Sequence, residues 1–150
     1  MKQYINRGLS FLFACLTLLS TVVSADAAQI DTETVSPLYE AYIRAVCGAS
    51  ISESLELTSD CYYTVNNSQV TRVDITTYVE KRNLLVLWDR VEIGQPNNEW
   101  TDICYGAYNS AVHTVQLSST GTYRVTFVFE IYNGTTLLDT IEQRSNTITC

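Results

Sequence analysis

Apolar and polar residues alternate strictly along several short segments of this chain. Between Tyr123 and Ile131 the odd-numbered residues are Tyr, Val, Phe, Phe and Ile, with mostly polar residues between them. Such period-two alternation predicts a strand with one buried and one solvated face. Strand-like patterns of this kind cover residues 42–52, 61–65, 70–82, 84–93, 111–117, 123–131 and 137–149. The segment 84–93 begins apolar on both faces, which predicts a more deeply covered strand.

The turn signals between these segments predict how the strands connect. Asn133-Gly134 predicts a tight hairpin turn. The segment Gly94–Asn109 contains Gly, Pro and Asn residues and predicts a long loop. About seven short strands, with no helical periodicity sustained over three turns, are typical of an all-β antiparallel β-sandwich. A closed barrel is the alternative architecture.

A corner before the penultimate strand favours an immunoglobulin-like sandwich. Leu117, Gly121 and Tyr123 have the spacing found at that corner in immunoglobulin-like domains, where the tyrosine hydroxyl bonds to backbone a few residues upstream. Position 125 is valine, not the cysteine of antibody domains, so the intersheet disulfide of those domains is absent. The predicted core residues are Val73, Ile75, Val79, Trp88, Tyr123, Val125, Phe127, Phe129 and Ile131.

The first 25 residues have the pattern of a secretory signal peptide. A start containing Lys2 and Arg7 precedes an apolar run and small residues, which predict cleavage after Ala25 or Ala27. The apolar run is shorter than the ~20 residues a membrane-spanning helix needs, although a membrane anchor stays an alternative. Lipidation of Cys15, as in a bacterial lipoprotein, is a second alternative. Residues 26–40 predict a flexible acidic leader, and residues 41–150 the sandwich domain.

The charge of the chain argues against nucleic acid and anionic membranes as partners. Its formal net charge is −7, and removal of the signal peptide changes this to −9 because that segment contains Lys2 and Arg7 and no acidic residue. An acidic domain of this kind repels polyanions. We therefore predict a secreted, extracellular protein without nucleic-acid partners and without stable membrane insertion after cleavage.

Four cysteines remain after cleavage, and an exported chain with an even number of cysteines predicts two disulfides. Cys47 and Cys61 share the apolar faces of consecutive strands, and a hairpin centred near Ser54 would place them opposite each other. This favours Cys47–Cys61 with Cys104–Cys150. The competing scheme pairs Cys47 with Cys150 and Cys61 with Cys104. No C-x2-C spacing is present, which argues against zinc.

The order of several motifs resembles an uncharacterised family of small exported proteins from Gram-positive bacteria, a domain of unknown function. The resemblance covers residues 43–145 and is carried by Cys61, VTRVDITTYVEKR, the Leu-x-x-Trp of LVLW, GTYRV and EIYNGTTLLDTIEQRS. It implies a signal peptide followed by an immunoglobulin-like β-sandwich. The loop Gly94–Asn109 is longer than the family pattern and carries its own cysteine. The resemblance implies no active site.

The residues suited to catalysis or metal binding form no recognisable motif. His113, the only histidine, lies on the apolar face of its strand, so we interpret it as packed or hydrogen-bonded and not as a catalytic base. Four acidic residues near the long loop suit a glycosidase pair or, with Asn97 and Asn98, a calcium site, but a solvated edge explains them as well. They are Asp89, Glu92, Glu99 and Asp102. We predict no enzymatic activity and no cofactor.

The aromatic residues of the predicted long loop are the candidate ligand-binding residues. Trp100, Tyr105 and Tyr108 lie outside the alternating strands. Exposed aromatic side chains stack on sugar rings or anchor protein partners. Trp100 has the alternative role of covering an open end of the sandwich. The sequence therefore predicts a non-catalytic binding module for an extracellular protein or glycan, with a carbohydrate-binding module or a secreted hydrolase as alternatives.

Overall fold

A computed structural model describes residues 38–39, 41–83 and 86–150 of the protein. The signal peptide, its cleavage sites, Cys15 and most of the leader lie outside these residues. The described strands are β1 (Leu38–Tyr39), β2 (Ile43–Ile51), β3 (Glu56–Val65), β4 (Arg72–Asn83), β5 (Leu87–Arg90), β6 (Trp100–Cys104), β7 (Tyr108–Gln116), β8 (Thr122–Asn133), β9 (Thr136–Arg144) and β10 (Ile148–Thr149). A 3₁₀ turn at Pro96–Asn98 is the only helical segment within the described ranges.

The strands form two antiparallel sheets. Sheet A has the order β1-β2-β3-β7. In sheet B, β4 and β8 pair along their length, β9 and β10 lie on the far side of β8, and β5 and β6 lie on the far side of β4. The predicted all-β antiparallel class is therefore confirmed.

The core lies between the inward faces of the two sheets, as the alternation predicts. Tyr63 of sheet A and Phe129 of sheet B meet edge to face with ring centres 6.5 Å apart. The predicted core residues that are buried, each at most 1% exposed, are Val73, Ile75, Val79, Tyr123, Val125, Phe127, Phe129 and Ile131. Two adjacent sheets thus exclude water from one stripe of each central strand, which supplies most of the favourable burial energy.

The hairpin between β2 and β3 has the predicted register. Cys47 lies opposite Cys61, and the turn is closed by a bond from Ser52 N to Glu56 O. At one end of the hairpin Asn66 N donates to Tyr42 O, and at the other end Ser52 N donates to Glu56 O. All four of these hydrogen-bonded residues have even numbers. Hydrogen-bonded and non-hydrogen-bonded pairs alternate, so the Cys47–Cys61 pair is non-hydrogen-bonded, the type with the shorter Cα separation.

The four described cysteines are free thiols, which corrects part of the disulfide prediction. The sulfurs of Cys47 and Cys61 lie 2.9 Å apart, within hydrogen-bonding distance but without a covalent S–S bond. Cys104 pairs with Val73 of β4, and Val73 pairs on its other side with Ile131, near the end of β8. Cys150 forms backbone hydrogen bonds with Gly121, just before the start of β8. Ten residues of strand separate these ends by roughly 30 Å, far beyond the ~7 Å limit of a disulfide. The predicted Cys104–Cys150 pairing is therefore wrong.

The predicted corner is present at the start of β8. The hydroxyl of Tyr123 donates a hydrogen bond to the Ser119 carbonyl at 2.5 Å. The tyrosine is 1% exposed, so its ring packs in the core while its hydroxyl holds the preceding turn. This bond fixes the path of the chain as it crosses from β7 in sheet A to β8 in sheet B.

Trp88 is not a core residue, contrary to the prediction. It lies on β5, a four-residue strand at the edge of sheet B, and is half-buried. The guanidinium of Arg124 lies 4.2 Å from its ring centre and is held by Glu80 at 2.7 Å. Val86 and Leu87 are 74% and 61% exposed, so this start of the segment is not deeply covered either. Leu84 and Leu85 lie outside the described residues.

Two further boundaries differ from the sequence prediction. The predicted loop Gly94–Asn109 contains strand β6, which pairs with the edge of β4. Strand β1 lies in the predicted leader and pairs with β2, so the described domain extends to Leu38. Both are short strands at sheet edges, where a period-two pattern has too few residues to be recognised.

Candidate functional site

Three chain connections meet at one end of the sandwich. They are residues 66–71 after β3, 105–107 before β7, and 134–135 after β8, and together we call them the loop end. Gly134 N donates to Thr71 Oγ1 at 2.7 Å, and Thr71 N donates to the Tyr132 carbonyl at 2.8 Å. Val65 N donates to the Ala107 carbonyl at 2.8 Å. Backbone bonds therefore place all three connections side by side.

The backbone of the loop end is ordered by local hydrogen bonds and glycines. Asn67 Oδ1 accepts from Gln69 N at 3.0 Å, and its carbonyl accepts from Val70 N at 3.1 Å, as in an Asx turn. Gly106 has φ 102° and Gly134 has φ 58°, conformations that a residue with a Cβ rarely adopts. These features fix the positions of the neighbouring side chains.

The loop end presents tyrosine, amide and hydroxyl groups and no formal charge. Its eleven residues are Asn66, Asn67, Ser68, Gln69, Val70, Thr71, Tyr105, Gly106, Ala107, Gly134 and Thr135. Tyr105 is 68% exposed, and Tyr108, the first residue of β7, is 64% exposed. Tyr, Ser, Gly and Asn are the residues enriched in antibody binding loops, because they combine rigid contact area with adaptable hydrogen bonding. In a chain of formal charge −7, this uncharged surface is distinct.

Trp100 lies apart from the two tyrosines, so the three predicted binding aromatics do not form one site. It starts β6 opposite Thr77, and its ring stacks on His113 with centres 4.8 Å apart and planes 2° from parallel. It is half-buried and packs against the core, which is the covering role that the sequence left as its alternative. An open pocket of about 320 Å³ lies beside it, lined by residues 95–97, Glu99, Thr101 and His113.

His113 bridges the edges of the two sheets. Its Nε2 lies 2.7 Å from Asp102 Oδ2 on β6, and its ring lies on Trp100. The prediction of a packed, hydrogen-bonded histidine is confirmed. Pattern analysis of single strands does not reveal this contact, because Asp102 and His113 belong to different sheets.

Three of the four acidic residues that suggested a glycosidase or a calcium site have separate partners. Glu99 binds Arg90 at 2.9 Å, Asp89 accepts from Asn83 at 2.9 Å, and Asp102 binds His113. Within the described residues, no group of three or more His, Cys, Asp or Glu side chains is arranged to hold a metal ion. The local geometry therefore matches side-chain pairing along sheet edges.

Two of the buried thiols, Cys47 and Cys104, have raised pKa values. The hydrogen bond with Cys61, followed by burial, raises the pKa of Cys47, and burial raises the pKa of Cys104. A raised thiol pKa lowers the fraction of reactive thiolate at neutral pH. Cys47 Sγ also lies 3.3 Å from Gln143 Oε1, within hydrogen-bonding distance of this buried amide oxygen, although its single hydrogen can serve only one of the two contacts at a time.

No protein-family model matches the chain, and no curated protein sequence matches it. In the part of the chain that the structure describes, no helix has the length and apolarity needed to cross a bilayer.

Proposed function

We propose that this protein is a secreted, non-catalytic binding module that contacts its extracellular partner through the loop end. The observation that carries the proposal is the grouping of exposed Tyr105 and Tyr108 with the uncharged, amide-rich connection 66–71 and the short Gly134-Thr135 turn. Exposed tyrosines contribute a large contact area at a small entropic cost, since each has only two side-chain torsions to immobilise. The raised pKa values of Cys47 and Cys104 and the paired side chains of Asp89, Glu99 and Asp102 favour binding over catalysis at these positions.

We further propose that the sandwich is immunoglobulin-like. The order β2-β3-β7 in one sheet and β9-β8-β4-β5 in the other supports this topology. The Tyr123 corner supports it as well. In such folds the connections at one end of the sandwich commonly carry the binding residues, which is consistent with a role for the loop end. The resemblance to an exported Gram-positive family remains a prediction.

A carbohydrate ligand is the second candidate. Aromatic rings stack on sugars, and amide and hydroxyl side chains supply the hydrogen bonds that sugar hydroxyls need. Tyr105 with Asn66, Asn67 and Ser68 offers both groups within one surface. The absence of charge in the loop end suits a neutral glycan and does not exclude a protein surface.

A glycan array probed with the mature protein separates these candidates. We expect Tyr105→Ala and Tyr108→Ala to abolish specific glycan signals if the ligand is a sugar, whereas Leu87→Ala, at an exposed apolar residue of β5, should leave them unchanged. If the array is blank, a photo-crosslinking residue at position 105 should capture a protein on intact cells. Binding that survives both tyrosine substitutions contradicts the proposed site.

The proposed export is tested on the same material. N-terminal sequencing of protein from the culture medium should begin at Asp26 or Ala28. A lipidated Cys15, or an intact Met1 in the membrane fraction, contradicts the signal-peptide assignment.

A further inference from the structure

Strand β7 forms an open edge of sheet A. Over the described residues it pairs only with β3, and its other side carries no neighbouring strand. The ladder with β3 continues through Leu117 N to Leu55 O at 2.9 Å and Val65 N to Ala107 O at 2.8 Å. These bonds involve odd-numbered residues, so the odd residues of β7 bond to β3. The even residues therefore direct their backbone N–H and C=O groups away from β3, toward the open edge.

The sequence of β7 lacks the features that prevent edge-to-edge pairing. YNSAVHTVQ contains no Asp, Glu, Lys, Arg or Pro, and its ladder with β3 runs without a bulge. Proteins normally protect long edge strands with charges, prolines, bulges or short length. The imidazole of His113 is engaged by Asp102 and Trp100 on β6. It therefore leaves the edge unprotected.

The other edges of the sandwich are protected in these ways. Strand β9 carries Asp139, Glu142 and Arg144 and has a register shift next to Ile131. Strands β5 and β6 are four and five residues long. Strand β1 covers Arg44 and Ala45 of β2, which leaves an open stretch of only six residues, 46–51, interrupted by Gly48. The contrast singles out β7 as the edge available for pairing.

We propose that β7 pairs with β7 of a second copy of this chain, antiparallel and about a two-fold axis at Val112. Val112 is the central residue of the nine in β7, and it is 62% exposed. Full pairing places Val112 opposite its symmetry mate, Ser110 opposite Thr114, and Tyr108 opposite Gln116. Each facing pair consists of edge-directed residues, as a hydrogen-bonded antiparallel ladder requires.

A second copy fits this edge because the strand is self-complementary. The facing pairs bring no like charges together, and two valines at the centre form a favourable apolar contact. The Ser110 N–H already donates a hydrogen bond to Asn109 Oδ1 at 2.9 Å, so this one bond is exchanged on pairing. The product is one continuous sheet built from two copies of sheet A, and such an isologous contact closes at a dimer.

Analytical ultracentrifugation of the mature protein at physiological salt, over a wide concentration range, tests the proposal. We expect a concentration-dependent shift from the mass of one chain to that of two. Val112→Lys and Val112→Glu should each remain monomeric, because two like charges meet at the axis. An equimolar mixture of the two variants should recover the two-chain mass, since Lys then faces Glu.

A matched control uses another exposed apolar residue on an edge strand. Leu137 of β9 is 48% exposed, and Leu137→Lys should associate like the unmodified protein. Far-UV circular dichroism confirms that each variant folds. A one-chain mass for the unmodified protein at every concentration overturns the proposal. Dimers of Val112→Lys overturn it too, and a mixture that stays monomeric overturns the two-fold register.

Discussion

The export that we propose would bring the protein into an oxidising compartment, where oxidation should join Cys47 to Cys61. The two residues face each other at a non-hydrogen-bonded position, where Cα atoms lie about 4.5 Å apart, inside the range that a disulfide spans. Each residue is 1% exposed, so the bond should resist reduction in the folded protein. The double substitution Cys47→Ala/Cys61→Ala removes both thiols. Its stability is compared with that of the oxidised and the reduced forms of the unmodified protein.

The magnitude follows from the length of chain that the bond closes. The cysteines are 14 positions apart, and the chain-entropy account assigns a loop of this size about 3 kcal/mol of stabilisation. Residual hairpin structure in the unfolded chain reduces this gain, so we expect about 2–3 kcal/mol between the oxidised and reduced forms. Urea unfolding with and without reductant measures the difference, and the double variant should show none.

Peptide mapping without reduction identifies the bond directly. We expect one linked peptide pair containing Cys47 and Cys61, with Cys104 and Cys150 as thiols. Four free thiols in protein taken from the medium would refute the reasoning from register and export. A peptide joining Cys47 to Cys150, or Cys61 to Cys104, would refute the pairing itself.

Three other substitutions test the fold. Tyr123→Phe removes the corner hydrogen bond and should cost about 1 kcal/mol in urea unfolding, whereas Tyr108→Phe at an exposed tyrosine should cost almost nothing. Phe127→Ala removes a ring that is 1% exposed and should cost about 3–5 kcal/mol, and a loss below about 1 kcal/mol would contradict its place in the core. Burial opposes ionisation of Glu80, but hydrogen bonds from Arg124 and Thr126 and the charge of Arg124 lower its pKa overall. A lowered carboxyl pKa stabilises the fold above the unfolded value of about 4.3, and this stabilisation is lost as pH falls through the folded pKa. The stability difference between the unmodified protein and Glu80→Gln should therefore shrink from pH 7 to pH 3, and a constant difference would contradict this.

The central strands were predictable from sequence because burial there follows the strand period. Positions 73, 75 and 79 of β4 and the odd positions 123–131 of β8 face one continuous core, so local alternation and tertiary burial agree. The Cys47–Cys61 register was predictable for the same reason, since a short symmetric hairpin fixes it locally.

The edge strands and the site depended on contacts between distant segments. Strand β6 directs Trp100, Asp102 and Cys104 inward, and an inward aspartate breaks the apolar period. The inward position of Asp102 is explained by its contact with His113, which belongs to the other sheet. Trp88 was wrongly assigned to the core. An apolar run indicates deep burial when the strand has a neighbouring strand on each side, but β5 pairs with β4 alone. The exposure of Tyr105 and Tyr108 was predictable, but their proximity to residues 66–71 and 134–135 required the sheet topology.

The pairing of β4 with β8 has a consequence for how quickly the protein acquires its structure. Partner residues in this ladder are separated by 42 positions for Lys81 and Tyr123 and by 60 for Arg72 and Tyr132. Chain closure over such distances must precede the stabilising contacts, so folding is expected to take milliseconds to seconds. The β2–β3 hairpin can form as soon as its two strands are synthesised, whereas one backbone edge of β4 stays unpaired until β8 has been synthesised and has joined the sheet. Stopped-flow refolding measures this interval, and complete folding within microseconds would show that the long-range ladder does not limit the rate.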